Sequence, residues 1–192
     1  MLARGCDPYR NMRESLTRER LRALMDALAR SAPTGVTIRA YFIGGATAID
    51  HGWRRSTIDA DMHASDDRLF TQIQQIKDRL RVNVEWVRPE DFVPPLFDSE
   101  SRHVFIDTIG SVSFFHYDPY AQLLSKIVRG FRQDIEDATR FVDDGLVDVE
   151  RFRTLVHSIP DESYSRYPNL SRASVETAVD DFLPRGSSPD IG

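Results

Sequence analysis

Two features of this chain have the residue types and spacing for phosphate and metal chemistry. The glycine pair Gly44-Gly45 directly follows the apolar run 36–43, and thirteen residues separate Gly45 from the first carboxylate of Asp59-Ala60-Asp61. β-Branched and aromatic residues dominate the apolar run, which reads as a strand. Glycines at its end let the backbone approach a ligand with no Cβ in the way. A helix starting there offers its free N–H groups to an anion. Asp59 and Asp61 lie two apart on an extended segment, so both carboxylates project from one face. They can share a hard cation, Mg²⁺ or Mn²⁺, of the kind that takes oxygen ligands and substrate phosphates together. Two metals so held support an in-line phosphoryl displacement. Taken singly, a glycine pair is commonly a turn and an Asp-x-Asp commonly a solvated strand face. Together, across a span long enough for a short helix and a tight return, they bring the helix start and both carboxylates to one end of a sheet.

A second cluster lies further on. If residues 119–140 run as one helix or two nearly collinear ones, Lys126, Arg129, Gln133 and Asp137 share a face. Lys126 would act as a mobile point charge on a triphosphate and Arg129 as a planar fork for phosphate oxygens. Asp134 or Asp137 would anchor such a cation or receive an acceptor proton. The same composition also produces solvated ion-pair faces. Glu85 lies in the strand 82–87, where Val84 and Trp86 alternate inward and Glu85 faces the other side, open to a role in chemistry; an exposed polar strand position is the plain alternative. Asp107 on a later hairpin is its rival. Arg54 and Arg55 lie beside the phosphate site. Trp53, Phe114, Phe115 and Tyr120 are either base-stacking or core residues. The five histidines are scattered without metal-ligand spacing and Cys6 is the only cysteine, so an internal disulfide is excluded and neither a zinc site nor Cys-His catalysis has support.

The elements that must position these groups follow from periodicity. Leu16, Leu21, Leu24, Met25 and Leu28 mark an amphipathic helix over 14–31. Asp66–Leu80 reads as a second helix with Ser65 at its N-cap. Residues 88–95 form a proline-punctuated loop, and 103–109 with 112–117 form a hairpin through Gly110-Ser111. Helices follow near 119–130, 132–143, 148–158 and 171–183. The result is an α+β fold: a small mixed sheet of about five strands flanked by helices over 14–118, then a helical C-terminal part over 119–183, with flexible ends at 1–13 and 184–192. Hydrophobic residues at 41% and charged residues at 29% fit a soluble globular chain. No apolar run is long enough to span a membrane, and the N-terminus lacks an apolar signal region, so a cytoplasmic location without membrane contact is expected. A net charge of −5 argues against nucleic-acid binding by charge alone, leaving only a local patch such as 129–132.

The glycine pair followed by Asp-x-Asp resembles the nucleotidyltransferases of the polymerase β-like superfamily. Gly44-Gly45-Ala46-x-Ala48, Arg55-x-Thr57-x-Asp59-x-Asp61, Asp118-Pro119-Tyr120, Lys126-x-x-Arg129 and Asp134-x-x-Asp137 are similar to standalone bacterial nucleotidyltransferases related to the AbiEii abortive-infection toxins. The similarity covers about 36–142. It implies a nucleoside triphosphate donor, Mg²⁺ or Mn²⁺ on Asp59 and Asp61, and nucleotidyl transfer to an RNA or protein acceptor. It implies catalytic roles for Asp59, Asp61 and Lys126 and a third carboxylate, for which Glu85 is the candidate and Asp107 the rival, with Gly44, Gly45, Arg55, Thr57, Lys126 and Arg129 at the nucleotide. A toxin–antitoxin or phage-defence role with a cognate antitoxin or toxin partner belongs to the same implication. The alternatives are a degenerate nucleotide-binding module or a partner-binding component of a toxin–antitoxin complex.

Overall fold

The computed structural model describes residues 13–183. These fall into two compact units, one holding 13–87 and 105–115, the other 88–104 and 116–183. The ends expected to be flexible, and Cys6, lie outside the described residues except for Arg13, which is ion-paired with Asp78.

The first unit is built on five strands, β1 (Ile38–Ile43), β2 (Asp59–Ala64), β3 (Asn83–Trp86), β4 (Val104–Ile109) and β5 (Val112–His116). Their order across the sheet is β3-β2-β1-β5-β4. β1 runs antiparallel to β2, and β2 parallel to β3, so the sheet is mixed as expected. Helix α1 (Arg18–Ser31) starts where the Thr17 hydroxyl accepts the Arg20 N–H, and it buries Leu21, Leu24, Met25 and Leu28. That stripe joins Ile38, Phe42, Met62 and Phe114 in one apolar core. Phe114 is therefore core, with its ring stacked on Phe42 at 6.0 Å. In β2 the alternation is strict, with Ala60, Met62 and Ala64 buried and Asp59, Asp61 and His63 on the opposite face. Burying the small and apolar set thus forces the two carboxylates out together.

The segment 66–80 is not one helix. A 3₁₀ turn, Asp67–Phe70, precedes helix α3 (Ile73–Leu80), and the N-cap is Asp66, whose carboxylate accepts the Arg68 N–H. Ser65 bonds elsewhere, its hydroxyl accepting the Arg39 N–H at 2.9 Å and so tying the end of β2 to β1. Trp86 is not inward-facing either. β3 is an edge strand, and Trp86 stays 50% exposed with its ring edge-on to Phe70 at 5.2 Å.

The second unit is helical: α4 (Pro119–Arg129), α5 (Arg132–Asp143), α6 (Val149–His157) and α7 (Arg172–Phe182), numbered after α2 (Gly45–Asp50) of the first unit. Asp118 caps α4 by accepting the Tyr120 N–H, with Pro119 in the first turn and Gly130 in the left-handed conformation at its end. The prolines of 88–95 do not leave an open loop. Pro89–Asp91 and Ser99–Arg102 are 3₁₀ turns. Arg102 donates from Nε and Nη2 to Asp118 Oδ2 at 3.0 and 2.6 Å, and the Tyr117 hydroxyl donates to Glu90 Oε1 at 2.9 Å. Burial pushes the Glu90 carboxyl above its ordinary range. Tyr120 is buried, and its hydroxyl accepts the Asp148 N–H at 3.1 Å. Among the described residues no helix is long and apolar enough to cross a membrane.

Candidate nucleotidyl-transfer site

The six-residue helix α2 follows β1 through Gly44, whose φ of 57° and ψ of −120° only glycine adopts readily. Space is also tight there. A Cβ on Gly44 would lie 2.9 Å from Asp61 Oδ2, so the glycine turn abuts the carboxylate. The register agrees, since Ile43 pairs with Asp61. One residue on, a Cβ on Gly45 would fall 2.8 Å from Thr57 Cβ and closer still to its hydroxyl. Thr57 is held there by a two-way backbone bridge with Leu16, at 2.7 and 3.0 Å. Gly44, Gly45, Thr57 and Asp61 therefore come together; Gly44 is required by its backbone conformation and Gly45 by the Thr57 side chain that stands against it.

The parallel pairing of β2 with β3 completes the cluster. Asp59 lies opposite Asn83 and Asp61 opposite Glu85, so all four side chains share one face. The Asn83 amide donates to Asp59 Oδ1 at 2.7 Å and to Glu85 Oε1 at 3.3 Å. Asn83 is not among the candidates that the motifs single out, although alternation along Val82-Asn83-Val84-Glu85 puts it on the face of Glu85. Asp107 is placed elsewhere. Its strand, β4, is the opposite edge of the sheet, three strand spacings or about 14 Å from β2, and its carboxylate is exposed, 4.0 Å from Arg22. Arg55 is exposed on the loop before Thr57. Among the described residues no three or more His, Cys, Asp or Glu side chains are gathered as a metal cage. Mg²⁺ does not ask for one, because it commonly takes one or two carboxylates and completes its shell with water and substrate phosphate. Asp59 and Asp61, on one face beside a glycine turn free of Cβ atoms, fit that mode.

Lys126 and Arg129 belong to the second unit. The helix breaks at Gly130, so the collinear arrangement does not occur. Along one straight helix residues 126 and 137 would be about 16 Å apart, yet Lys126 Nζ is 2.6 Å from Asp137 Oδ2 and 3.3 Å from Asp134 Oδ1. Helix α5 must fold back on α4 for this to happen. All three side chains are nearly inaccessible, at 6, 9 and 3% exposure for Lys126, Asp134 and Asp137. Arg129 pairs with Asp134 at 3.3 Å and lies over the rings of Phe92 and Phe131 at 5.0 and 5.7 Å. Lys126 is thus held between both of its candidate anchors. Lys126→Met is expected to lower the unfolding free energy by about 3–5 kcal/mol, because two buried carboxylates lose their cation; urea denaturation measures this. A variant as stable as wild type but unable to transfer would assign Lys126 to the phosphates instead.

A family model described as nucleotidyltransferase of unknown function (DUF6036) matches residues 19–183. The chain belongs to that nucleotidyltransferase family. No curated protein and no solved structure matches it.

Proposed function

We propose that the chain is a metal-dependent nucleotidyltransferase that moves a nucleotidyl group from a nucleoside triphosphate to a hydroxyl of an RNA or protein acceptor. The observation that carries this reading is the glycine turn set directly against the second carboxylate of the Asp-x-Asp pair, so close that a Cβ on Gly44 would meet Asp61 Oδ2. Membership of a nucleotidyltransferase family over 19–183 supports it. The finer kinship, with the polymerase β-like superfamily and the AbiEii-related toxins, and a cognate toxin or antitoxin partner, are parts of the same proposal.

In this mechanism the acceptor oxygen bonds to the α-phosphorus as the bond from that phosphorus to the pyrophosphate oxygen breaks. Pyrophosphate leaves with the electron pair. Asp59 and Asp61 would hold Mg²⁺ or Mn²⁺, which when bound supplies neutralisation of the charge developing on the phosphates. The backbone at Gly44-Gly45 admits the donor phosphates, and Thr57 and Arg55 stand at the approach to them. Glu85, exposed beside Asp61, takes the acceptor proton. Incubation of the protein with each labelled nucleoside triphosphate, Mg²⁺ or Mn²⁺, and total RNA or lysate protein tests the reading. Label transferred to a macromolecule, dependent on the metal, is expected; none with any donor would sink it.

Glu85→Gln and Asp107→Asn separate the two candidate bases in that assay. Glu85→Gln is expected to lower turnover by about 10²–10⁴-fold with donor affinity near wild type, the pattern of a contact made in the transition state. Asp107→Asn, on the far edge strand, should leave turnover unchanged. The reverse result would move the proton-accepting role to the hairpin.

A further inference from the structure

We infer that Asn83 is a positioning residue whose side-chain amide sets the orientation of both Asp59 and Glu85; the inference rests on the nucleotidyltransferase reading of this face. Its Nδ2 lies 2.7 Å from Asp59 Oδ1 and 3.3 Å from Glu85 Oε1, so the two protons of one amide engage two carboxylates. Register explains how one side chain reaches both. Asn83 sits directly across from Asp59 on the paired strand and two residues before Glu85 on its own, all on one face.

The chemistry of the donor matters. Three carboxylates on one face repel one another, and a half-exposed aspartate at a strand position turns freely about its side-chain bonds unless something holds it. An ammonium or guanidinium in the place of Asn83 would hold them too, but it would compete with a cation for the same oxygens. A neutral amide orients Asp59 through Oδ1 and leaves Oδ2 for a metal, while the negative charge that attracts the metal stays intact. Groups of this kind, bonded to a ligand rather than to the metal, govern affinity through the ligand's orientation.

The test is Mn²⁺ binding to the full chain, followed by electron paramagnetic resonance of the free ion, with nucleotidyl transfer measured in parallel and thermal melts as the control for folding. Asn83→Leu keeps the size and removes the donor. It is expected to weaken Mn²⁺ binding by about 10–100-fold and to lower transfer by a similar factor, with an unchanged melt. Asn83→Gln, which retains the amide on a longer chain, is expected to recover most of that loss. Wild-type Mn²⁺ affinity in Asn83→Leu would overturn the inference, as would equal losses in Asn83→Leu and Asn83→Gln, since shape rather than the donor would then be what matters. If Asn83→Leu melts early, the Asn83→Gln comparison decides alone. Failure of the underlying reading looks different: wild type and Asp59→Asn would bind Mn²⁺ equally poorly, and both conclusions would fall together.

Discussion

Asp59→Asn and Asp61→Asn each lower metal-dependent nucleotidyl transfer by more than about a hundredfold and leave the fold intact. This is the expected result, because a neutral amide is a poor ligand for a hard cation and loss of a direct ligand should exceed the roughly 10–100-fold typical of groups one bond further out. The fold should tolerate both changes. Asparagine at 59 keeps an oxygen that accepts the Asn83 amide, and neither carboxylate belongs to the apolar core beneath β2. Asp61 and Glu85 are like charges side by side on neighbouring strands, and Asp61→Asn relieves that repulsion. Turnover against Mn²⁺ concentration, with thermal melts, measures both halves. A variant that turns over normally would remove the metal assignment, and one that unfolds would make the pair structural.

Gly45→Ala is expected to destabilise the protein by about 1–3 kcal/mol, the range for forcing a methyl group into filled space. The obstacle is Thr57, whose Cβ would lie 2.8 Å away and whose backbone is bridged to Leu16 and cannot simply move aside. Thr57→Gly in the same chain should return part of the loss, which identifies the clash as its source. Gly44→Ala combines two penalties. Its backbone conformation strains any residue with a Cβ by about 1–3 kcal/mol, and the new methyl group would press on Asp61 Oδ2 at 2.9 Å. Gly44→Ala should therefore lose metal-dependent transfer beyond what its stability explains, whereas the double change at 45 and 57 should restore the fold first. Denaturation curves and the transfer assay on the same samples distinguish them. Wild-type stability and activity in both glycine variants would mean the turn has freedom that the geometry denies it.

Much of this arrangement was legible residue by residue. Alternation along Asp59–Ala64 determined that the two aspartates share a face, because successive side chains on a strand point to opposite sides. Asp118-Pro119 at the start of α4 and Gly130 at its end marked that helix through capping chemistry, which is local. The sequence likewise carried the glycine pair, the five strands and the four α-helices between 119 and 183. Other outcomes depended on which elements lie side by side. Only the packed sheet set β3 beside β2, bringing Asn83 and Glu85 to Asp59 and Asp61, and sent Asp107 to the far edge. Only the fold-back of α5 buried Lys126 between Asp134 and Asp137 rather than leaving it on an open helix face. Periodicity and caps act within a few residues and are written in the chain, whereas strand order and helix pairing are decided by burial of apolar surface between segments far apart in sequence, so the residues they bring together appear only in the tertiary structure.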